Sequence, residues 1–130
     1  MSRNFFSIAF HAREAGLRTV ISTNGTLITP EVARLLAEAK IRYVGVSLDS
    51  ALPASHDQFR GVPGAFDRAL QGLRNARDAG LKTGLRITLT RDNWQDVPAL
   101  LNLALERTSP VSAFTIWFPL AGGRGYRIKM

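Results

Sequence analysis

Tyr43-Val44-Gly45-Val46-Ser47-Leu48-Asp49-Ser50 is a β-branched, apolar run that ends in a polar cluster. The run has the composition of a buried strand, and its end has that of a strand-to-helix turn. The same punctuation stands on both sides of it. Thr19-Val20-Ile21-Ser22-Thr23-Asn24-Gly25 precedes it and Lys82-Thr83-Gly84-Leu85-Arg86-Ile87-Thr88-Leu89-Thr90 follows. Each run leads into a helical pattern. Polar groups at the carboxyl ends of successive parallel strands are where α/β proteins hold their ligands.

Working outward, Asn4 is placed to cap a helix with apolar face Phe5, Ile8, Ala9, Ala12 and a stop at Gly16. Thr29-Pro30-Glu31 reads as a helix start: a capping hydroxyl, proline in the first turn, an acid near the positive dipole end. Val32, Leu35, Leu36 and Ala39 then recur at helical spacing. Residues Ala51–Pro63 form a polar connection, longer than the usual strand-to-helix loop of about 2–6 residues. Ala65–Ala79 is a helix with Phe66, Ala69, Leu70, Leu73 and Ala76 on one face. Asn93 and Asp96 predict a capping pair for a helix over Trp94–Glu106, and Ala113–Phe118 predicts a last strand. Pro119–Tyr126 reads as a terminal loop.

The order of strands and helices implies right-handed parallel crossovers. The expected fold class is therefore α/β: a partial (β/α) barrel of about four parallel strands with helices on the outer face. A complete small doubly wound sheet is the alternative, and would more naturally open on a central strand than on a helix. An eight-unit barrel needs about 250 residues, so 130 residues predict a single partial domain.

Composition narrows the function classes. The chain has no cysteine, which removes disulfides, thiolate metal sites and cysteine nucleophiles. Net charge is +7, but the arginines are scattered beside acids and form no aromatic-rich basic stripe. That pattern speaks for a solvated surface rather than a nucleic-acid partner. No apolar run is long enough to span a bilayer, and the start lacks a signal pattern, so no membrane partner and a cytoplasmic location are expected. His11 and His56 lack metal-ligand spacing, and Trp94 and Trp117 are expected to be packing residues.

Ser22-Thr23-Asn24-Gly25, Val46-Ser47-Leu48-Asp49-Ser50, His56-Asp57-Gln58-Phe59-Arg60-Gly61 with Phe66, and Thr88-Leu89-Thr90-Arg91-Asp92-Asn93 occur in this order over about 90 residues. The set resembles the core of radical S-adenosylmethionine (SAM) enzymes. It is most similar to the branch of haem d1 and alternative haem biosynthesis and its peptide-maturing SPASM-type relatives. Gly123-Arg124-Gly125 is similar to a motif after the sixth strand in some members. The resemblance implies SAM and a [4Fe–4S] cluster as cofactors, reductive cleavage of SAM followed by hydrogen abstraction, and a small-molecule or peptide substrate. The family's three-cysteine loop and its Gly-Gly-Glu-type loop lie before the matching region, and this chain has neither. A truncated core domain, inactive alone and unable to hold the cluster, is the expectation.

Ser47 and Asp49 lie two apart, so they are expected to face the same side of a strand. Hydroxyl and carboxylate at a barrel mouth suit the ribose or the amino-acid end of SAM; capping the turn is the simpler role. Arg60, in the long connection, suits the carboxylate of the cofactor's methionine. Asn24-Gly25 predicts a tight turn with positive φ at the glycine, with the Asn24 amide able to face the cavity. Arg86 interrupts an apolar strand, and faces either an anionic ligand in the lumen or solvent past a helix. Ser47, Asp49, Arg60, Asn24 and Arg86 are thus the candidate cofactor-binding residues, with no catalytic residue and no metal ligand assigned. The competing functions are a small α/β module binding a phosphate or acidic metabolite, and a basic nucleic-acid-binding protein. Cutting a barrel open also predicts self-association through an exposed sheet edge. Val20, Val44, Val46, Leu85, Ile87 and Ile116 are the expected apolar lumen surface.

Overall fold

In the computed structural model, residues 4–108, 114–119 and 125–129 are described. The elements are α1 (Phe5–Glu14), β1 (Val20–Thr23), α2 (Pro30–Glu38), β2 (Tyr43–Ser47), α3 (Pro53–Arg60), α4 (Ala65–Asp78), β3 (Thr83–Thr88), a 3₁₀ turn (Trp94–Asp96), α5 (Val97–Arg107), β4 (Phe114–Pro119) and β5 (Gly125–Lys129). The sheet order is β1-β2-β3-β4-β5. β1 to β4 pair in parallel, as the alternation of runs predicts, and β5 returns antiparallel to β4.

The sequence reading differs in three of the elements. Ala51–Pro63 is not a loop throughout. Pro53 sits in the first turn of α3, and Gly61 closes that helix in the left-handed region at φ 67°. The Trp94–Glu106 helix begins as a 3₁₀ turn and becomes α-helical only at Val97. The expected terminal loop Pro119–Tyr126 gives way at its ends to β4 and β5, and β5 pairs in register Thr115↔Lys129 to Pro119↔Gly125. Gly123 and Arg124 lie outside the described residues.

Period-two alternation assigns the two faces of the sheet. Val44, Val46, Leu85 and Ile87 are at most 1% exposed and Ile116 is 9% exposed, in one core with Leu36, Leu73 and Leu100 from the helices. These strand residues therefore cover the helix side and do not form an apolar lumen surface. Of the six residues expected there, Val20 alone is exposed, at 57%. Ser22, Ser47, Arg86 and Thr88 occupy the opposite parity. The lumen face is polar because the intervening positions, not the aliphatic ones, point into it. Ile8, expected on the buried face of α1, is 67% exposed, while Ala9 is buried.

α4 holds the β1–α2 loop at two points. Asn75 Nδ2 donates to Ile28 O at 2.7 Å. Gly72 faces Gly25 so closely that a Cβ on Gly72 would stand 2.0 Å from the Gly25 carbonyl oxygen. Gly25 has φ 77°, as the Asn-Gly turn predicts. Thr29 Oγ1 accepts from Val32 N at 3.2 Å and caps α2 as expected.

Gly72→Ala should therefore lower unfolding free energy by about 3 kcal/mol, the upper end of usual overpacking costs. Gly61→Ala, with open space and only its positive φ against it, should cost about 1–2 kcal/mol. Urea unfolding of the two variants measures this. Near-wild-type stability of Gly72→Ala would contradict the backbone contact.

Candidate functional site

Two concavities open at the carboxyl ends of the parallel strands. The inner one, about 300 Å³, lies on the lumen face and is lined by Ser22, Ser47, Arg86, Ile87, Thr88 and Trp117. The outer one, about 440 Å³, includes Asp49, Ser50, Gln58, Phe59, Asp92, Asn93 and Asp96 in its wall. The candidate residues divide between them. Ser47 and Arg86 share the inner concavity. Asp49 lines the outer one, because β2 ends at Ser47 and alternation ends with the strand.

Asp49 is 1% exposed and is the hub of a polar cluster. Its Oδ1 accepts from Thr88 N at 2.9 Å, tying the end of β2 to the end of β3. Its Oδ2 meets Arg60 Nη2 in an ion pair. Its backbone N–H donates to His56 Nδ1 at 3.1 Å, and its carbonyl accepts from Asn93 Nδ2 at 3.0 Å. Asn93 also donates to Thr88 O at 2.9 Å and accepts from Thr90 N at 2.7 Å. Asn93 thus stitches two strand ends together rather than capping a helix. Asp96 accepts instead from Ser50 Oγ.

The His-Asp-x-Phe-Arg-Gly segment is the other half of this clasp. His56 is 2% exposed and packs edge-on to Phe66. Asp57 accepts from Gly64 N at 2.6 Å and Phe66 N at 2.8 Å, capping α4 from the neighbouring helix. Those backbone bonds, led by Phe66, hold its carboxyl below the usual carboxylate range. Arg60 reaches back to Asp49 while its buried Nε has no hydrogen-bond partner among the described residues. Asn24 Oδ1 accepts from Thr26 N at 3.2 Å and Thr26 Oγ1 at 3.0 Å, the local turn role of such a residue.

Arg86 faces inward. Its Nη1 donates to Ser22 Oγ, and its stem crosses Gly45, where a Cβ would stand 2.9 Å from Arg86 Cδ. Trp94 and Trp117 are 59% and 40% exposed, so neither is the packing residue expected, and Trp117 lines the inner concavity. His56 and Asn93 were not among the candidate site residues. Both lie in the connections that follow strands β2 and β3, His56 within α3 and Asn93 before the 3₁₀ turn, where buried side chains must satisfy the backbone.

Burial pushes the His56 imidazole below the ordinary histidine range; Asp49 pulls the other way and Arg60 reinforces the shift. Nδ1 accepts from Asp49 N, so the neutral ring carries its proton on Nε2. Below about pH 6.5 the unfolded chain binds a proton that the native ring refuses. Stability should thus fall as pH drops from about 6.5 towards the lowered native value, by at most about 1.4 kcal/mol per pH unit. Urea unfolding at pH 7.5 and 5.5 should show this loss, and His56→Gln should remove it. Equal pH dependence in both proteins would refute the assignment.

The described residues hold no group of three or more His, Cys, Asp or Glu placed to bind a metal, and no helix among them is long and apolar enough to cross a membrane. Residues 1–104 match the profile of the Radical SAM superfamily. Fe-coproporphyrin III synthase of Methanosarcina barkeri is 44% identical over 98% of this chain and 31% of its own length. Pre-heme d1 synthase of Dinoroseobacter shibae is 38% identical over 94% of this chain and 30% of its own. Streptococcus suis SuiB bound to S-adenosylmethionine superposes with a TM-score of 0.74 over 93% of this chain and 28% of that one, at 19% identity. SuiB bound to its precursor peptide SuiA gives 0.67 over 81% of this chain and 24% of that one, at 20% identity. The SuiB likeness is one of fold. The chain spans about a third of the length of the curated relatives it matches. The family profile and these identities agree with the strand-end motifs: this chain belongs to the radical SAM superfamily.

Proposed function

We propose that residues 1–130 form part of the core of a radical SAM enzyme acting on a tetrapyrrole, and supply the wall that faces cofactor and substrate. The lumen concavity carries this reading. Its hydroxyls from Ser22, Ser47 and Thr88, beside an arginine, fit a polar molecule with an anionic end. The Methanosarcina and Dinoroseobacter relatives, a Fe-coproporphyrin III synthase and a pre-heme d1 synthase, supply the tetrapyrrole class. A peptide substrate is the second reading, favoured by the 36% identity, over 78% of this chain, to the mycofactocin maturase MftC of Mycobacterium tuberculosis.

SAM, when bound at a cluster, supplies reductive cleavage and hydrogen abstraction. A cluster does not fit the residues present: the chain has no thiolate, so its ligands come from outside these 130 residues. The chain's own part is to bind and orient. Ser47 Oγ faces the ribose or the amino-acid end of SAM. Asp49 and Arg60 fix the loop beside it, with the Arg60 side chain, 31% exposed, as the cation for a ligand carboxylate. Asn24 shapes the rim through its turn with Thr26.

β1 is an edge strand, and Val20 and Leu17 beside it are 57% and 66% exposed. The chain on its own should self-associate through this edge. Size-exclusion chromatography should show a species larger than the monomer, and a sharp monomer peak would reject it.

Calorimetric titration with SAM should give a dissociation constant in the millimolar range, about −4 kcal/mol, since no iron chelates the cofactor here. Ser47→Ala should weaken it by roughly threefold to tenfold, the effect of one hydrogen bond. Micromolar binding, or binding indifferent to Ser47, would reject the assigned role.

A further inference from the structure

The geometry points to Arg86 as the anchor for a carboxylate of the substrate, distinct from the contacts assigned above to SAM. The inference rests on the reading of this chain as a radical SAM wall. Arg34, Arg60 and Arg77 each meet a carboxylate, at Glu38, Asp49 and Asp78. Arg86 meets none among the described residues, although it is half-buried. The acids near the strand ends, Asp49, Asp92 and Asp96, all line the outer concavity, and among the described residues no acid lines the inner one.

A half-buried guanidinium with no carboxylate partner among the described residues keeps donors free for an anionic ligand. The surroundings are built for it. Gly45 clears the path of the Arg86 stem, and Ser22 Oγ fixes one edge of the guanidinium. A planar fork oriented in this way matches the two oxygens of a carboxylate. Trp117 adds a flat, 40% exposed apolar wall to the same concavity. About 300 Å³ is at the lower limit for a small-molecule pocket. The concavity therefore takes the acidic edge of a larger flat ring, not the whole of it. The carboxylate can come from a porphyrin side chain or from an acidic peptide.

The test follows Trp117 fluorescence in the full chain carrying Trp94→Phe. The probes are coproporphyrin III, its neutral tetramethyl ester, and a glutamate-rich peptide. Coproporphyrin III should quench saturably. Arg86→Gln should weaken it by at least about tenfold, as expected for a charged hydrogen bond, and Arg86→Lys by about threefold or less. The ester should not bind saturably. Saturable quenching by the peptide alone, with the same dependence on Arg86, would keep the carboxylate anchor and make the source a peptide. Circular dichroism and Tm of each variant verify folding, and Ser22→Ala, which frees the guanidinium, should weaken binding by a smaller factor. SAM affinity should change less than about threefold in Arg86→Gln. Loss of SAM binding with porphyrin binding intact would make Arg86 a cofactor residue and overturn the inference. Equal binding by the ester or by Arg86→Gln, or no saturable binding of either acidic probe to the unsubstituted site, would also overturn it. Failure of the radical SAM reading gives a different result: Arg86-dependent porphyrin binding with no SAM binding.

Discussion

The strand ends of this protein are organised around one buried carboxylate. Asp49 accepts from the Thr88 backbone and pairs with Arg60, while its own backbone is satisfied by His56 and Asn93. A carboxylate at 1% exposure is tolerable only with such partners. Removing one partner of a buried pair costs about 3–5 kcal/mol in general, and less here because the Arg60 side chain is 31% exposed. The cluster joins β2, β3 and α3 at the level where the sheet offers its ligand-facing groups. The position of Ser47 and Thr88 in the lumen depends on it.

This arrangement gives the His-Asp-x-Phe-Arg-Gly segment a structural meaning. His56 and Arg60 close on Asp49 from one turn of α3, and Asp57 from the same turn caps α4. Gly61 ends α3 in the left-handed region, which lets the chain turn into α4. α4 in turn holds the β1–α2 loop through Gly72 and Asn75. A linked set of contacts thus runs from β3 back to β1 on the outer side of the sheet. On the inner side the Arg86–Ser22 hydrogen bond reaches from β3 to β1, and Arg86 and its hydroxyl neighbours line the concavity.

A division between the two faces follows from chemistry. On the helix side, aliphatic residues of strands and helices fill one continuous core. On the lumen side, Gly45 and Gly84 sit in register on adjacent strands, and the hydroxyls of Ser22 and Ser47 rise beside them. Absence of bulk here leaves room for long side chains, and a cation, Arg86, crosses Gly45 beside the Tyr43 ring.

The parallel strands, the helix starts at Thr29 and Ala65, and the turn at Gly25 were legible in the amino-acid sequence, because each rests on local rules of alternation, capping or positive φ. The family was legible too, since its motifs stand in order at strand ends. α3 escaped notice because its polar surface hides the helical period, and β5 because a short strand is made by its pairing. The face taken by each strand residue was not legible: Val44 and Ser47 lie three apart and on opposite sides of one strand, and the aliphatic parity goes to the helices. Nor did spacing reveal that Asp49 leaves the direction of Ser47 once β2 ends. Sequence by itself determined the order of elements and the chemistry at their ends. Tertiary structure alone decided which polar groups satisfy one another and which, like Arg86, are left facing a cavity, because that depends on contacts between residues far apart in the chain.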